Sequence, residues 1–309
     1  MNLPRPSLRS AARGLIAAAA MLPGAVQKLG AEQEAVLARS TLREALAREN
    51  GFVKVHAAEV LTAYGDRDRV RAVFLQQAEN HAEELRYRHG IWRTLALSAE
   101  NSSQRAAWLE RIEKVVLDPS SPDRLHAVES LAKLGGPHSA AVLAATRQWY
   151  NHAPEEETPM LEWVLWQAGE HEVETALRHR LASPTLVSRL RAAYVLRQIR
   201  TMDASTLAAL SAAADAEPVD SAARPIIIAS AFLLRASPER LPAWRSILEE
   251  MAAQGPPSAA YDALQGLMGV YHTADLARIL PLLQHAHGDV RIAAAWTILD
   301  VTSRNPAAH

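Results

Sequence analysis

From Lys54 the chain reads Lys-Val-His-Ala-Ala-Glu-Val-Leu, and from Arg124 it reads Arg-Leu-His-Ala-Val-Glu-Ser-Leu. Taking the basic residue as position zero, small or apolar residues fall at positions three, four and seven. These spacings make one stripe along an α-helix and predict a helix with a single buried face. The pattern recurs as Arg-Leu-Arg-Ala-Ala-Tyr-Val-Leu from Arg189 and Arg-Ile-Ala-Ala-Ala-Trp-Thr-Ile from Arg291. Weaker copies start at Arg88, Thr158, Ile226 and Pro257, and successive starts lie 34, 36, 34, 31, 37, 31 and 34 residues apart. Self-similarity at such a period is the mark of stacked supersecondary units.

A second amphipathic run precedes each copy, over 34–48, 68–84, 104–117, 138–150, 171–182, 203–214, 239–253 and 275–285. Helix-stopping residues separate them, among them Asn50-Gly51, Asp118-Pro119, Gly135-Gly136-Pro137 and Gly255-Pro256-Pro257. The prediction is an all-α chain of about eight helical hairpins, in one repeat domain over 32–309. Small residues at positions three and four let neighbouring hairpins approach closely.

The segment 289–299, Asp-Val-Arg-Ile-Ala-Ala-Ala-Trp-Thr-Ile-Leu, resembles the opening of the second helix in the HEAT-repeat family, and the run from Asp123 is nearly as close. The resemblance covers about 34–302 and implies a right-handed α-solenoid. It also implies that Asp123, Arg124, Asp289 and Arg291 are structural, tying neighbouring repeats together. The units at 226 and 257 lack the Asp–Arg pair. HEAT-like folds carry many unrelated roles, so function has to come from the surface.

Positions two and five lie off the buried stripe and, in such a solenoid, line the concave face. They place His56, Glu59, Arg93, His126, Glu129, Trp163, Arg191, Tyr194 and Trp296 on one ridge. Tryptophan, tyrosine and arginine are enriched at binding hot spots. The expected function is therefore a non-enzymatic scaffold that binds a protein or peptide in its concave groove. The alternative is a metal- or cofactor-dependent enzyme, like the HEAT-repeat deoxyhypusine hydroxylase or the phycobilisome lyases. His56–Glu59 and His126–Glu129 have the i,i+3 spacing of metal ligands. The hydroxylase, however, uses adjacent His-Glu pairs in four copies, whereas here there are two spaced pairs two repeats apart. The pairs are accordingly read as ion pairs on a helix face, with no metal and no cofactor assigned. A DNA-acting solenoid, like the HEAT-like alkylpurine glycosylases, ranks last because the ridge holds acids as often as bases.

Composition sharpens this reading at a few points. The net charge of −1 gives no basic footprint for nucleic acid. The absence of cysteine removes disulfides, thiolate metal sites and thiol nucleophiles. No Walker loop, G-x-S-x-G or H-E-x-x-H motif occurs. Residues 1–31 carry Arg5, Arg9, Arg13 and Lys28 without an acid, followed within the same segment by an apolar run at 14–22 and small residues at Ala25 and Ala31. That layout is a signal peptide's and predicts export to the periplasm or beyond, the alternative being a cytoplasmic protein with a flexible leader. No run is long enough to span a bilayer.

Overall fold

The computed structural model describes residues 30–304. These form sixteen α-helices and no strand. They come in consecutive pairs: α1 (Ala31–Arg48) with α2 (Gly51–Ala63), α3 (Arg67–Asn80) with α4 (Tyr87–Ser98), α5 (Ser102–Leu117) with α6 (Arg124–Leu134), and α7 (Ala140–Tyr150) with α8 (Thr158–Gln167). The second half continues with α9 (Val173–Arg180) and α10 (Leu186–Ile199), α11 (Ala204–Ala216) and α12 (Arg224–Leu233), α13 (Leu241–Gln254) and α14 (Pro257–Leu267), and α15 (Leu276–Ile279) and α16 (Gly288–Arg304). Each predicted amphipathic run overlaps an odd-numbered helix. The last run is broken: α15 gives way to a 3-10 turn over Leu280–Gln284, where Pro281 has no backbone N–H to continue the α-helical ladder.

Burial separates the two kinds of helix. The odd-numbered helices bury a narrow stripe, Ile112 and Val116 in α5 for example, whereas α12 is buried continuously from Pro225 to Phe232. Each odd-numbered helix packs on the even-numbered one that follows it, and the even-numbered helices pack side by side in chain order from α2 to α16. Arg93 of α4 bonds Glu59 of α2 on one side and Ser130 of α6 on the other; Arg93 and Glu59 stand at position five of the repeated pattern and Ser130 at position six. The inner helices therefore run parallel and in register. Arginines of the outer row cap the far ends of the inner one. Arg39, Arg71 and Arg105 donate to the carbonyls of Tyr64, Ser98 and Leu134, where helix C-termini leave acceptors unpaired.

The row does not end. Helix α16 packs against both α1 and α2, so the inner helices close into a ring. Across this seam His56 Nδ1 lies 2.9 Å from Asp289 Oδ1, and Arg291 pairs with Glu49. Gly288 lets the two sides of the seam approach: a Cβ there would lie 2.5 Å from Val53 Cγ1. Gly266 has the same role between α14 and α12, since its Cβ would meet the Ala229 backbone at 2.8 Å.

Closure corrects one expectation about the ridge. Arg93 bonds Glu59, His126 pairs with Glu129 and Trp163 packs on Tyr194, so these residues cover one another instead of lining an open concave groove, while Arg191 points outward. Arg93 and Trp163, read as exposed, are 3% and 5% accessible. The leader with Arg5, Arg9, Arg13 and Lys28 lies outside the described residues. Among the described residues no helix is long and apolar enough to cross a membrane.

Candidate functional site

Two surfaces of the ring carry chemistry: its centre, and the rim formed by the connections that lead from each outer helix into the next inner one.

At the centre the inner helices bring ion pairs together. Glu59 accepts from Arg93 Nε at 2.6 Å, and Arg93 Nη1 donates to Ser130 Oγ at 2.8 Å. Burial alone would raise the Glu59 carboxyl, but Arg93, Lys133 and His56 outweigh it and hold it below its ordinary value. Glu129 pairs with Lys133 Nζ at 2.7 Å and sits 3.8 Å from His126 Nδ1. Burial again opposes ionisation, yet Lys133 and His126 hold Glu129 well below the carboxylate range. The proximity of Lys133 to Tyr194, Glu129 and Glu59 raises its pKa in spite of burial. Ions held so firmly in their charged forms position groups and do not exchange protons near neutral pH.

The His–Glu pairs separate into different arrangements. His56 bonds Asp289, while its intended partner Glu59 is taken by Arg93; only His126 and Glu129 stay paired within one helix. Among the described residues no group of three or more His, Asp or Glu side chains is placed to hold one metal ion. The aromatic residues meet more closely. Trp163 packs edge-on against Tyr194 with centroids 5.7 Å apart, while Tyr261 stacks on His56 at 5.8 Å. Trp296 is half-buried on α16, and Arg191 turns outward to donate to the Glu156 carbonyl.

Lys133, Arg197, Tyr261 and Gln265 also belong to the centre but escape a ridge that stops at position five. Arg197 and Gln265 stand at position eight and Lys133 at position nine, one further turn along the same face. Extending the pattern by that turn would have found three of them; Tyr261 stands at position four, where the pattern expects a core residue.

The residues expected to be structural make two kinds of contact. Asp123, 1% accessible, accepts from Arg88 Nε and Nη2 at 2.8 and 2.9 Å, from Ser121 Oγ at 2.8 Å and from His89 Nε2 at 2.7 Å. It thereby ties α6 to α4, as Asp289 ties α16 to α2. The arginines reach back within their own pair: Arg124 donates to the Val116 carbonyl and Arg291 to those of His285 and Ala286. Arg291 also crosses the seam to Glu49.

His89 gives this cluster a pH dependence. Its Nδ1 is buried with no hydrogen-bond partner among the described residues, so a proton there would have no acceptor. Burial pushes its pKa down to about 4 against the pull of Asp123. Between pH 6.5 and 4 the unfolded chain then binds a proton that the folded chain refuses. Stability is expected to fall by about 3 kcal/mol across that window on acidification. Urea denaturation at a series of pH values checks this: the slope flattens in His89→Gln, and an equal slope in the variant refutes it.

The rim carries the exposed apolar residues. Phe52, Leu85, Leu117, Leu186, Val187 and Val219 lie on the connections into the inner helices or within one residue or two of them, and only Val36 and Leu75 of the exposed large apolar set lie elsewhere among the described residues. Exposed acids share these connections: Glu83, Glu84, Asp118, Glu155, Glu156 and Asp220. Arg86 is the one lysine or arginine on the connections themselves, and Arg48 and Arg278, within two residues of them, are also exposed.

Compared with protein-family models, curated proteins and solved structures, the chain matches none.

Proposed function

We propose that the protein is a HEAT-like solenoid of eight units, right-handed and closed on itself, that works without catalysis as a scaffold for a protein partner. The partner docks on the rim that leads into the inner helices and presents a basic, apolar surface to it. One observation carries this reading: six of the eight exposed large apolar side chains gather on that rim, interleaved with acids. Exposed apolar residues clustered on one face mark interaction surfaces, and complementary charge steers the encounter. A rigid ring suits the task because its surface is shaped before binding and little ordering entropy is lost. The central ion pairs fit the same reading, since they hold the ring's geometry and leave its acids ionised.

The test compares a rim variant, Phe52→Asp/Leu186→Asp/Val219→Asp, with an outer-helix control, Val36→Asp/Leu75→Asp. Crosslinking and affinity capture from the native host should recover the same basic partner with the wild type and the control, and lose it with the rim variant. Retention of every partner by the rim variant refutes the proposal. Wild-type self-association that the rim variant abolishes would make a second copy the occupant and refute a distinct basic partner.

A further inference from the structure

Most of the inner helices end in the same way. Just past α2, α6, α8 and α14 the chain turns through a positive φ, and each time the residue is glycine: Gly65, Gly135, Gly169 and Gly269. Without a Cβ, glycine makes this turn free of strain. Past α10 and α12, which are neighbours in the row, the turn is made instead by Arg200 (φ 63°) and Arg235 (φ 54°). A side chain strains the backbone in that conformation. These two serve no contact within the fold: both are exposed, and neither side chain makes a hydrogen bond, ion pair or ring contact among the described residues. The acids that follow them are occupied, Asp203 by the Thr206 N–H and Glu239 by the Ser237 hydroxyl. Strained backbone that the fold itself does not use is characteristic of binding and active sites.

Arg235 also forms part of the wall of a cleft. The cleft has a volume of about 320 Å³ and lies between Phe232, Leu241, Pro242, Val270 and Arg245, whose guanidinium is held by Glu249 and Asp275. Arg235 and Pro242 are exposed, so the cleft opens to solvent. An apolar cleft beside an unpaired cation suits an apolar side chain that adjoins a carboxylate. Spacing extends the match to Arg200. Helices packed about 8–10 Å apart hold the two arginines at roughly that separation, the span of about three residues of extended chain. We propose that the edge where the inner helices end binds an acidic, extended peptide segment of a partner protein. Two of its carboxylates, about three residues apart, pair with Arg200 and Arg235, and an apolar side chain beside the second enters the cleft. The inner helices run parallel, so this edge faces away from the rim, and the inference does not depend on what docks there.

An array of synthetic peptides built on Glu-x-x-Glu-Leu, with glutamine and lysine counterparts, tests the proposal on the full chain. The acidic peptides are expected to bind, and replacing either Glu with Gln, or the Leu with Ser, should weaken binding severalfold. In fluorescence polarisation with the best binder, Arg200→Gly/Arg235→Gly should weaken binding at least tenfold. Glycine is the residue this turn favours, so the same variant should keep or raise the wild-type urea midpoint. Arg67→Gln/Arg69→Gln removes the same charge from exposed positions of α3 and should leave binding unchanged. No binding of the acidic peptides, equal binding of the lysine peptides, an equal loss in the α3 control, or undiminished binding in the glycine variant overturns the proposal. So does a lowered urea midpoint in that variant, which would give the two arginines to the fold.

Discussion

A chain ending at residue 287, without α16, should fail to fold. In an open repeat array the removal of a terminal helix costs one interface, and the remainder stays folded. Here α16 fills the gap between α14 and α1–α2, so its loss opens two faces at once. The helix itself buries Val290, Ile292, Ile298, Leu299 and Val301, and it packs on α1, whose buried residues include Ala38, Leu42 and Leu46. At about 1.5–3 kcal/mol for each large buried side chain, the five from α16 alone come to roughly 10 kcal/mol. That is comparable to the whole stability of an ordinary domain, about 5–15 kcal/mol. Circular dichroism and size-exclusion chromatography of the truncated chain should report an expanded, non-cooperative species. A sharp thermal transition near the wild-type midpoint would mean that the ring is not needed for folding.

Replacing Asp123 with alanine should cost about 4 kcal/mol, the largest effect expected of any single substitution in this cluster. The carboxylate receives two bonds from Arg88 and one from His89, and all three would lose their acceptor at a site closed to water. Breaking a buried pair by removing one partner is worth about 3–5 kcal/mol because the other charge is stranded. Asp123→Asn keeps an acceptor oxygen and should lose less. Removing Glu110, whose only ion pair among the described residues is an exposed i,i+4 contact with Lys114, should be close to neutral. Equilibrium urea denaturation of the three variants checks the order. The depressed pKa of Asp123 adds that its contribution is present above the ordinary carboxylate pKa and lost as the pH falls below it. Equal losses in Asp123→Ala and the Glu110 control would refute the account.

Much of the fold is legible in the sequence because helices that pack in rows repeat the same small-residue stripe. Ala57 and Ala58, Ala192 and Ala193, and Ala294 and Ala295 mark the same buried face in three inner helices. Closure is not legible, because it depends on the small rotation between successive pairs summed around the whole ring, and no local stretch encodes that sum. Its trace, in hindsight, is Gly288, whose missing side chain makes sense only with Val53 against it. The site suffers from the same gap. His56 and Glu59 look like partners at i,i+3, but the chain's far end supplies Asp289 to one and the neighbouring helix supplies Arg93 to the other. Likewise Trp163 reads as an exposed hot spot, but it is buried, with Tyr194 of the neighbouring inner helix packed against it.

The seam has one more consequence. Helix α16 packs on α1 as well as on α2 and α14, so the first and last pairs of the described chain are neighbours. Nothing in the packing marks this place as the beginning. A short linker from 304 to 30, with the chain opened instead at the connection over 135–139, would preserve every helix and every interface. The interfaces fix the order of the helix pairs around the ring and leave open at which connection the ring is cut.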